Sequence, residues 1–329
     1  MKATPHEDSR KWGIACIPDQ AGRIALVTGA NSGIGYITAR ELARKGARVV
    51  LACRNVDRGR SACDELQREL PGAHVELGKL DLSDLGSIRA FSQAWRHDRL
   101  DLLVNNAGVA MVPYARTSDG FESHFGINHL GTFALTGLLL PHLLASSAAR
   151  VVTVSSEGQR FARVDFDNLN AERSYSAPIA YLQSKRANLY FATELQRRAE
   201  GAGANLRSIA VAPGLTRTNI LTGGANTARG WLYRASIRSL IRLLFRPTAE
   251  GAKTSLFAAT AAHVPGGGYV VPSGVLQLRG EPVLRPQERA LRHAEEAQQL
   301  WQRSEQLTGV KYEFRAMPAP AKNALVASP

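Results

Sequence analysis

The sequence predicts an α/β protein with a single doubly wound domain of about seven parallel strands, followed by a C-terminal helical extension. Three observations lead to this fold class. Short apolar runs alternate with helical patterns along most of the chain. The runs are continuous rather than alternating in polarity, which is typical of strands buried on both faces. The first run ends in a glycine-rich turn, and a helical pattern follows that turn directly.

The first strand, helix and second strand form the repeating unit of this fold. Residues 23–28 (RIALVT) are the first apolar run, residues 34–45 the first helical pattern and residues 47–53 (ARVVLAC) the second apolar run. Two strands joined through a crossover helix lie parallel. The alternation continues with helices near 57–70, 85–96, 121–145, 179–200 and 249–262 and with strands near 74–80, 101–104, 150–155, 206–212 and 268–271.

The alternation defines the expected domain boundaries. Residues 23–272 form the main domain, and residues 1–22 are a polar leader. Residues 273–314 form the extension, in which apolar spacing predicts an amphipathic helix near 288–307 that docks on the core. The tail at 315–329 is rich in alanine and proline, so we expect it to be disordered.

Composition narrows the classes of function. The formal net charge of +13 would suit nucleic acid, a membrane surface or an anionic small molecule, but an arginine-rich background composition gives the same value. No stretch has the ~18 consecutive apolar residues of a membrane span, and the N-terminus lacks the apolar segment of a signal peptide. The three cysteines form no CxxC pair. We therefore expect a cytoplasmic protein with neither a disulfide framework nor a metal site.

The turn after the first strand reads TGANSGIG, at residues 28–35. Glycines let the backbone approach a pyrophosphate closely, and the start of the helix supplies free N–H groups and a positive dipole end. A plain glycine-rich connection would share this spacing, but its place between strand and helix favours a dinucleotide site in a Rossmann domain. The residues expected to contact the cofactor here are Gly29, Asn31, Ser32, Gly33, Ile34 and Gly35.

A tyrosine and a lysine on one helix face are candidates for proton transfer. Tyr181 and Lys185 are four residues apart, so they share a face of the predicted helix. A cation one turn away favours the phenolate and would lower the tyrosine pKa from ~10 towards neutral pH. Such a pair on its own is usually surface decoration, but its presence beside a dinucleotide turn favours a catalytic role.

Further motifs follow the glycine turn. The glycine spacing is GxxxGxG, NNAG at 105–108 follows the fourth strand, and YLQSK at 181–185 fits YxxxK. Two serines at 155–156 end the fifth strand, Asn128 lies in the long helix before it, and PG at 213–214 follows the sixth strand. With these motifs in this order, the sequence resembles the short-chain dehydrogenase/reductase superfamily.

The resemblance covers residues 22–272 and is greatest to the retinol dehydrogenase-like branch. It is carried there by TGANSGIG, LACRN, INHLGTF, EGAKTSLFAAT and the long gap between Ser156 and Tyr181. The flanking segments WGIACIPDQAGR and LWQRSEQLTGV look like those of bacterial members.

The resemblance implies roles for four side chains. Tyr181 would be the general acid/base, and Lys185 would lower its pKa and hold the nicotinamide ribose. Ser156 would polarise the carbonyl. It is assigned this role in preference to Ser155 because its spacing to Tyr181 suits this branch better. Asn128 would hold a water that links Lys185 to solvent. Taken alone, Ser156 would be explained better as a strand-end cap and Asn128 as a buried helix amide.

The same matching implies further cofactor contacts. They are Asp81 and Leu82 beside the adenine, Asn105, Ala107 and Gly108 on the adenosine side of the cleft, and Pro213, Gly214 and Thr218 beside the nicotinamide carboxamide. Ordinary turn chemistry would also explain residues 105–108, since Asn and Gly both tolerate left-handed backbone.

The end of the second strand predicts the cofactor to be NADP(H). NAD enzymes usually place Asp or Glu there to bind the ribose 2′-hydroxyl. Here the strand ends in Cys53 and Arg54 follows. A guanidinium can hold a 2′-phosphate through two charge-assisted bonds. The alternative is that Arg54 is a solvated surface arginine.

We therefore expect an NADP(H)-dependent oxidoreductase that interconverts a carbonyl and an alcohol on a small apolar substrate, as a ketone or aldehyde reductase or an alcohol dehydrogenase. The variable stretch 217–247 would recognise the substrate, and it is crowded with Trp231, Leu232, Tyr233, Leu240 and Phe245. The alternative is a catalytically inactive dinucleotide-binding regulatory or nucleic-acid-binding protein on the same fold. All four side chains of the implied catalytic set are present, so we favour the enzyme and expect no nucleic-acid partner. Whether the protein forms a homodimer is left open.

Basic residues recur within this substrate-recognition stretch. Arg234, Arg238, Arg242 and Arg246 form a stripe along a predicted helix. A basic amphipathic helix can lie on an anionic membrane surface, which would be a peripheral contact. The favoured alternative is an ordinary lid helix with its apolar face on the pocket and its arginines in water.

Overall fold

A central sheet organises the molecule, for which the computed structural model describes residues 12–214, 248–285 and 293–314. The strands are β1 (Ile24–Thr28), β2 (Arg48–Cys53), β3 (Val75–Lys79), β4 (Leu102–Asn105), β5 (Ala149–Val154), β6 (Leu206–Val211), β7 (Tyr269–Pro272) and β8 (Pro282–Arg285). Within the described residues these eight strands form one sheet in the order β3-β2-β1-β4-β5-β6-β7-β8. Neighbours from β1 to β7 pair in parallel, so the predicted doubly wound α/β fold is confirmed.

The sequence-based count of seven strands misses β8. This strand pairs antiparallel with β7, since the chain reverses through residues 273–281 without a crossover helix. Only Pro282 of its four residues is buried. An edge strand of this kind leaves no apolar run in the sequence, which explains why the pattern does not reveal it.

Helices cover both faces of the sheet. They are α1 (Gly33–Arg44), α2 (Val56–Glu69), α3 (Leu85–Gln93), α4 (Gly131–Leu138), α5 (Leu140–Leu144), α6 (Ala177–Gly201), α7 (Thr248–Thr260) and α8 (Ala294–Thr308). Neighbouring residues of β1 pack into the hydrophobic cores on opposite faces of the sheet. Val27 packs in the cluster with α1, α2 and α7, whereas Leu26 packs in the cluster with α3, α4, α6 and α8. Burial on both faces is the reason that the strands read as continuous apolar runs.

The predicted long helix at 121–145 is three helical segments. A π-helical turn, His124–Leu130, leads into α4, and α5 follows with Pro141 in its first turn. Proline lacks the N–H group that would continue the preceding helix, so the chain restarts there. The π-helical turn carries Asn128, one of the predicted site residues.

The flanks pack on this core. Trp12 of the leader lies edge-on to Phe257 of α7, with 5.2 Å between ring centroids. Trp301 of α8 is buried against Phe133 of α4 and Tyr312, with centroids 5.0 and 4.5 Å away. The predicted helix near 288–307 is described from Ala294 onward. Within the described ranges, no helix is both long and apolar enough to cross a membrane.

The burial of Trp301 gives a stability prediction for the C-terminal extension. Trp301→Ala should lower the free energy of unfolding by about 3 to 5 kcal/mol, because it empties a packed aromatic site. Urea denaturation measures the change. The control is Val275→Ala, whose side chain is 86% exposed and whose effect should stay within about 0.5 kcal/mol. A loss below about 1 kcal/mol for Trp301→Ala would show that α8 adds little to the core.

Candidate active site

The predicted site residues converge at one edge of the sheet. β1, β4, β5 and β6 are parallel neighbours, so their C-terminal ends lie side by side. The turns after these ends carry the glycine turn, residues 105–108, Ser156 and Gly214, while α6 supplies Tyr181 and Lys185. Open α/β sheets bind ligands at this edge.

The glycine turn is held close to the turn after β4. Gly29 has φ of 67°, and a Cβ atom there would lie 3.1 Å from the Cα of Ala107. A Cβ on Gly35 would lie 2.5 Å from Asn106 Nδ2 and 2.6 Å from the Gly29 carbonyl oxygen. Gly33 has φ of 64° but meets no atom within 4 Å. Gly29 and Gly35 therefore allow close packing, and Gly33 allows the backbone to turn with its outer face clear.

Hydrogen bonds fasten these two turns together. Asn106 Nδ2 donates to the Thr28 carbonyl at 2.8 Å, and Thr28 Oγ1 accepts from the N–H groups of Asn106 and Ala107 at 3.0 and 2.9 Å. Asn106 was missing from the predicted site residues, although it is the second Asn of the NNAG motif. Its side chain holds the glycine turn in place through the hydrogen bond to Thr28.

The start of α1 suits an anion. Its N-cap residue, Ser32, makes no side-chain capping bond, and the first turn carries no acidic residue. The first N–H groups of a helix lack intrahelical partners and lie at the positive end of the dipole. With the clear face of Gly33, this arrangement fits the pyrophosphate of a dinucleotide.

The end of β2 lies beside the same turn. Cys53 is buried, which raises its thiol pKa to about 11, and its sulfur accepts hydrogen bonds from the N–H groups of Ala30 and Asn31. Arg54, the next residue, is exposed. The side chain of Cys53 thus supports the turn, and that of Arg54 is free to reach a charged group of a ligand.

The four predicted catalytic side chains come together below the turn after β4. Ser156 lies close enough to the hydroxyl group of Tyr181 to affect its pKa. Lys185 Nζ lies 5.9 Å from the Tyr181 ring centroid and donates to the Val154 carbonyl at 3.1 Å. A Cβ on Gly108 would lie 2.8 Å from Asn128 Oδ1 and 3.5 Å from Lys185 Nζ.

The two serines at the end of β5 have different surroundings. Ser155 is buried, and its hydroxyl donates to the Lys185 carbonyl at 2.7 Å, so it fastens α6 to the sheet. Ser156 begins the turn after β5, where its hydroxyl also accepts from the N–H group of Gly158. Only Ser156 of the two is therefore placed to contact a group bound at Tyr181.

Asn128 uses its whole amide group inside the protein. Its Oδ1 accepts from the N–H of Val109 at 2.7 Å, and its Nδ2 donates to the Val109 carbonyl and to Ser184 Oγ, both at 2.9 Å. These bonds anchor the loop after β4 to α6. The role implied for Asn128, holding a water for Lys185, stays a prediction.

The residues predicted beside the adenosine also have internal partners. Asp81 accepts from the N–H and hydroxyl groups of Ser83 at 2.9 and 2.6 Å. Leu82 is buried, and Asn105 Nδ2 donates to Thr136 Oγ1 at 3.0 Å. The side chains of Asp81 and Asn105 thus help to hold the loops after β3 and β4, and the cofactor contacts implied for these residues stay a prediction.

A sequence model of the short chain dehydrogenase family matches residues 23–227. The chain belongs to this family. The resemblance noted from the motifs is thereby confirmed.

Relatives of this short-chain dehydrogenase include the retinol dehydrogenases. Retinol dehydrogenase 11 of Mus musculus is 46% identical over 240 residues, which make up 72% of this chain and 73% of that protein. Retinol dehydrogenase 13 of Homo sapiens is 37% identical over 304 residues, 91% of this chain and 88% of that protein.

Solved structures show the same fold. A crystal structure of an uncharacterized protein from Mycobacterium paratuberculosis is 40% identical with a TM-score of 0.75, and covers 92% of this chain and 99% of that one. A short chain dehydrogenase from Escherichia coli CFT073, complexed with NADPH, is 27% identical with a TM-score of 0.58, covering 77% and 98%. The family and these relatives make the chain an oxidoreductase.

Burial dominates the electrostatics of this dehydrogenase site. It raises the pKa of Tyr181 to about 12, although the hydrogen bond from Ser156 opposes the shift. It also lowers the pKa of Lys185 to about 8. The expected lowering of the Tyr181 pKa by Lys185 is therefore wrong for this structure. Desolvation weakens the cation itself, and its nitrogen is 5.9 Å from the ring.

Sequence reasoning missed two ionisable side chains near Tyr181, Glu157 and His124, and the carboxylate of Glu122 that holds His124. Glu157 directly follows Ser156 and is buried. His124 lies 6.2 Å from the Tyr181 ring and bonds through Nδ1 to Glu122 Oε1 at 2.8 Å, with both side chains almost fully buried. Glu122 also accepts from the first N–H groups of the π-helical turn, a helix-start signal that the sequence does contain.

Some predicted features lie outside the described residues. Thr218, the stretch 217–247 with its arginine stripe, and the tail 315–329 are among them. Pro213 and Gly214 are described and lie at the end of β6, next to Ser156 and Glu157. Within the described ranges no group of three His, Cys, Asp or Glu side chains could hold a metal ion.

Proposed function

We propose that this protein transfers a hydride between NADP(H) and the carbonyl or alcohol group of an apolar substrate, with Tyr181 as general acid/base. The observation that carries the proposal is that Ser156 and Tyr181 lie together, with Lys185 buried behind the tyrosine ring, at the sheet edge that also carries the glycine turn. A dinucleotide bound at that turn would supply or accept the hydride. The chain's own residues hold the substrate and move the proton.

Carbonyl reduction needs the protonated form of Tyr181. With a pKa of about 12 the phenol is protonated at neutral pH, so its O–H group can donate to a carbonyl oxygen. The hydroxyl of Ser156 lies beside it and would donate to the same oxygen, which polarises the carbonyl. The reverse reaction needs the phenolate and should gain from alkaline pH.

The choice of NADP(H) rests on the end of β2 and on relatives. Neither Cys53 nor Arg54 would repel a 2′-phosphate, and Arg54 is exposed beside the glycine turn. Solved relatives include the Escherichia coli enzyme with NADPH and a Pseudomonas aeruginosa RhlG complex with NADP. A carboxylate at this point would instead favour NAD.

Arg54→Gln tests the cofactor preference. It should lower kcat/KM with NADPH by about tenfold and leave the value with NADH nearly unchanged, because the charge-assisted bonds to the phosphate are lost. Cys53→Asp should also shift preference towards NADH, but its carboxylate would be buried, so Arg54 is the cleaner position. Arg60→Gln, at an exposed position of α2, is the control. A wild-type preference for NADH would contradict the NADP(H) proposal.

The substrate is proposed to be an apolar aldehyde, ketone or alcohol. Phe161, in the turn that follows Ser156, is an apolar side chain that is 77% exposed. The retinol dehydrogenase relatives carry a name that points to an apolar alcohol. The cytoplasmic location expected from composition stays a prediction.

A substrate panel tests the proposed function. NADPH oxidation is followed by its absorbance with retinal, a medium-chain aldehyde, a cyclic ketone and a small polar aldehyde. We expect turnover with the apolar compounds and little with the polar one. NADPH binding without turnover of any compound would favour the inactive dinucleotide-binding alternative.

A further inference from the structure

Glu157 is a buried acid that the proposed reaction does not use. It begins the 3-10 turn Glu157–Phe161 directly after Ser156, and only 6% of its surface is exposed. Its Oε1 accepts a hydrogen bond from the N–H of Gly214 at 2.9 Å. This contact joins the turn after β5, which carries the catalytic serine, to the turn after β6.

Gly214 is held tightly from both sides. Its φ is 73°, and a Cβ atom there would lie 2.7 Å from the carbonyl oxygen of Leu278. The backbone of Gly214 is thus confined between Leu278 and the carboxyl group of Glu157. An acceptor lost at this point would leave a backbone N–H without its partner.

The groups that face Glu157 come from three elements of the described structure. They are Arg160 of its own turn, Tyr181 of α6 and Tyr269 of β7. Burial raises the pKa of Glu157 to about 7, and the hydrogen bonds from its own N–H group and that of Gly214, followed by the charge of Arg160, oppose the shift only partly. The ionised carboxylate in turn helps to raise the pKa of Tyr181, which burial raises most.

We propose that Glu157 is a positioning residue of this active site, whose carboxyl group fastens Gly214 to the turn of Ser156 and whose charge acts on the hydroxyl group of Tyr181. The inference rests on the proposed function. Glu157 touches no reacting atom in this scheme. It sets the backbone on the nicotinamide side of the cleft and the pH range over which Tyr181 exchanges its proton.

Two variants separate the hydrogen bond from the charge. Glu157→Gln keeps an oxygen acceptor for Gly214 but removes the negative charge. Alcohol oxidation needs the phenolate, so its rate rises with pH through the Tyr181 pKa. Without the neighbouring charge this pKa falls, and the rising limb of kcat should move to lower pH by about half a unit or more. If Glu157 had only a structural role, Glu157→Gln would leave the rising limb of the pH profile of kcat at its wild-type position.

Glu157→Ala removes the acceptor as well. We expect the Kd of NADPH, measured by calorimetry, to rise about tenfold, against less than about threefold for Glu157→Gln. The control is Glu194→Gln: this buried carboxylate pairs with Arg197 and Arg198 towards the far end of α6, and its variant should change neither readout.

Thermal unfolding of Glu157→Gln gives a readout that needs no turnover. The folded-state pKa of Glu157 lies above the ordinary value of 4.5, so its stabilising effect is complete below pH 4.5 and is lost as pH rises through about 7. The Tm of wild type should therefore fall relative to that of Glu157→Gln over this interval.

The outcomes of these experiments decide whether Glu157 has the proposed role. An unchanged pH limb in Glu157→Gln, together with wild-type NADPH affinity in Glu157→Ala, would overturn the role of Glu157. If Glu157→Ala fails to fold, the limb of Glu157→Gln decides alone. A wild-type protein that neither binds NADPH nor turns over any carbonyl compound would contradict the proposed function itself, and with it this role.

Discussion

Replacing Tyr181 by Phe is expected to lower kcat by about 10²- to 10⁴-fold while leaving the Kd of NADPH within about threefold of wild type. The substitution removes the hydroxyl that exchanges the proton and keeps the ring that fills the site. Steady-state kinetics with a saturating apolar aldehyde measure kcat, and calorimetry measures the Kd.

A matched control lies on the same helix. Tyr190 is buried in α6, and its hydroxyl donates to Glu296 of α8 at 2.7 Å, away from the catalytic group. Tyr190→Phe removes the same atom and should leave kcat nearly unchanged. If Tyr181→Phe retains more than about a tenth of wild-type turnover, the assignment of general acid/base is wrong.

Lys185→Met should lower kcat by at least about 10²-fold and also weaken NADPH binding about tenfold. Lys185 is proposed both to hold the cofactor ribose and to stabilise the Tyr181 phenolate through its charge, against the larger effect of burial. Its loss should therefore affect both constants, unlike Tyr181→Phe. Met keeps the length of the apolar stem, which limits the cavity. The exposed Lys311→Met is the control, and a variant of Lys185 with normal kcat would remove this residue from the mechanism.

The same variant carries a stability signature. Burial lowers the pKa of Lys185 to about 8, below the 10.5 of an unfolded chain. The charged side chain thus costs up to about 3 kcal/mol of stability below pH 8, and the cost is relieved as pH rises towards 10.5. The stability of wild type relative to Lys185→Met should rise by up to that amount across this interval. Denaturant titrations at pH 7.5 and 10 measure it, and parallel pH dependence would show that Lys185 is not desolvated.

The order of apolar runs determined most of the fold. β1, β2 and β4 to β7 lie where largely continuous apolar segments occur, because burial on both faces favours apolar residues. β8 could not be found in this way, since three of its four residues are not buried and its pairing depends on a long-range contact with β7. Pro141 could have predicted the interruption of the long helix from the sequence, but no sequence signal predicted the π-helical turn before it.

What the sequence alone determined about the site was which residue types are available and in what order. The glycine turn and the spacing of Tyr181 and Lys185 are local patterns, which can be recognised in the sequence without knowledge of the fold.

Only the tertiary structure decided how those residues are used. It turned Ser156 towards Tyr181 and Ser155 away, engaged the Asn128 amide in holding Val109, and brought Glu157 to Gly214 across 57 residues. It also reversed the expected electrostatics, because desolvation depends on what surrounds a side chain in space and not on its neighbours along the chain.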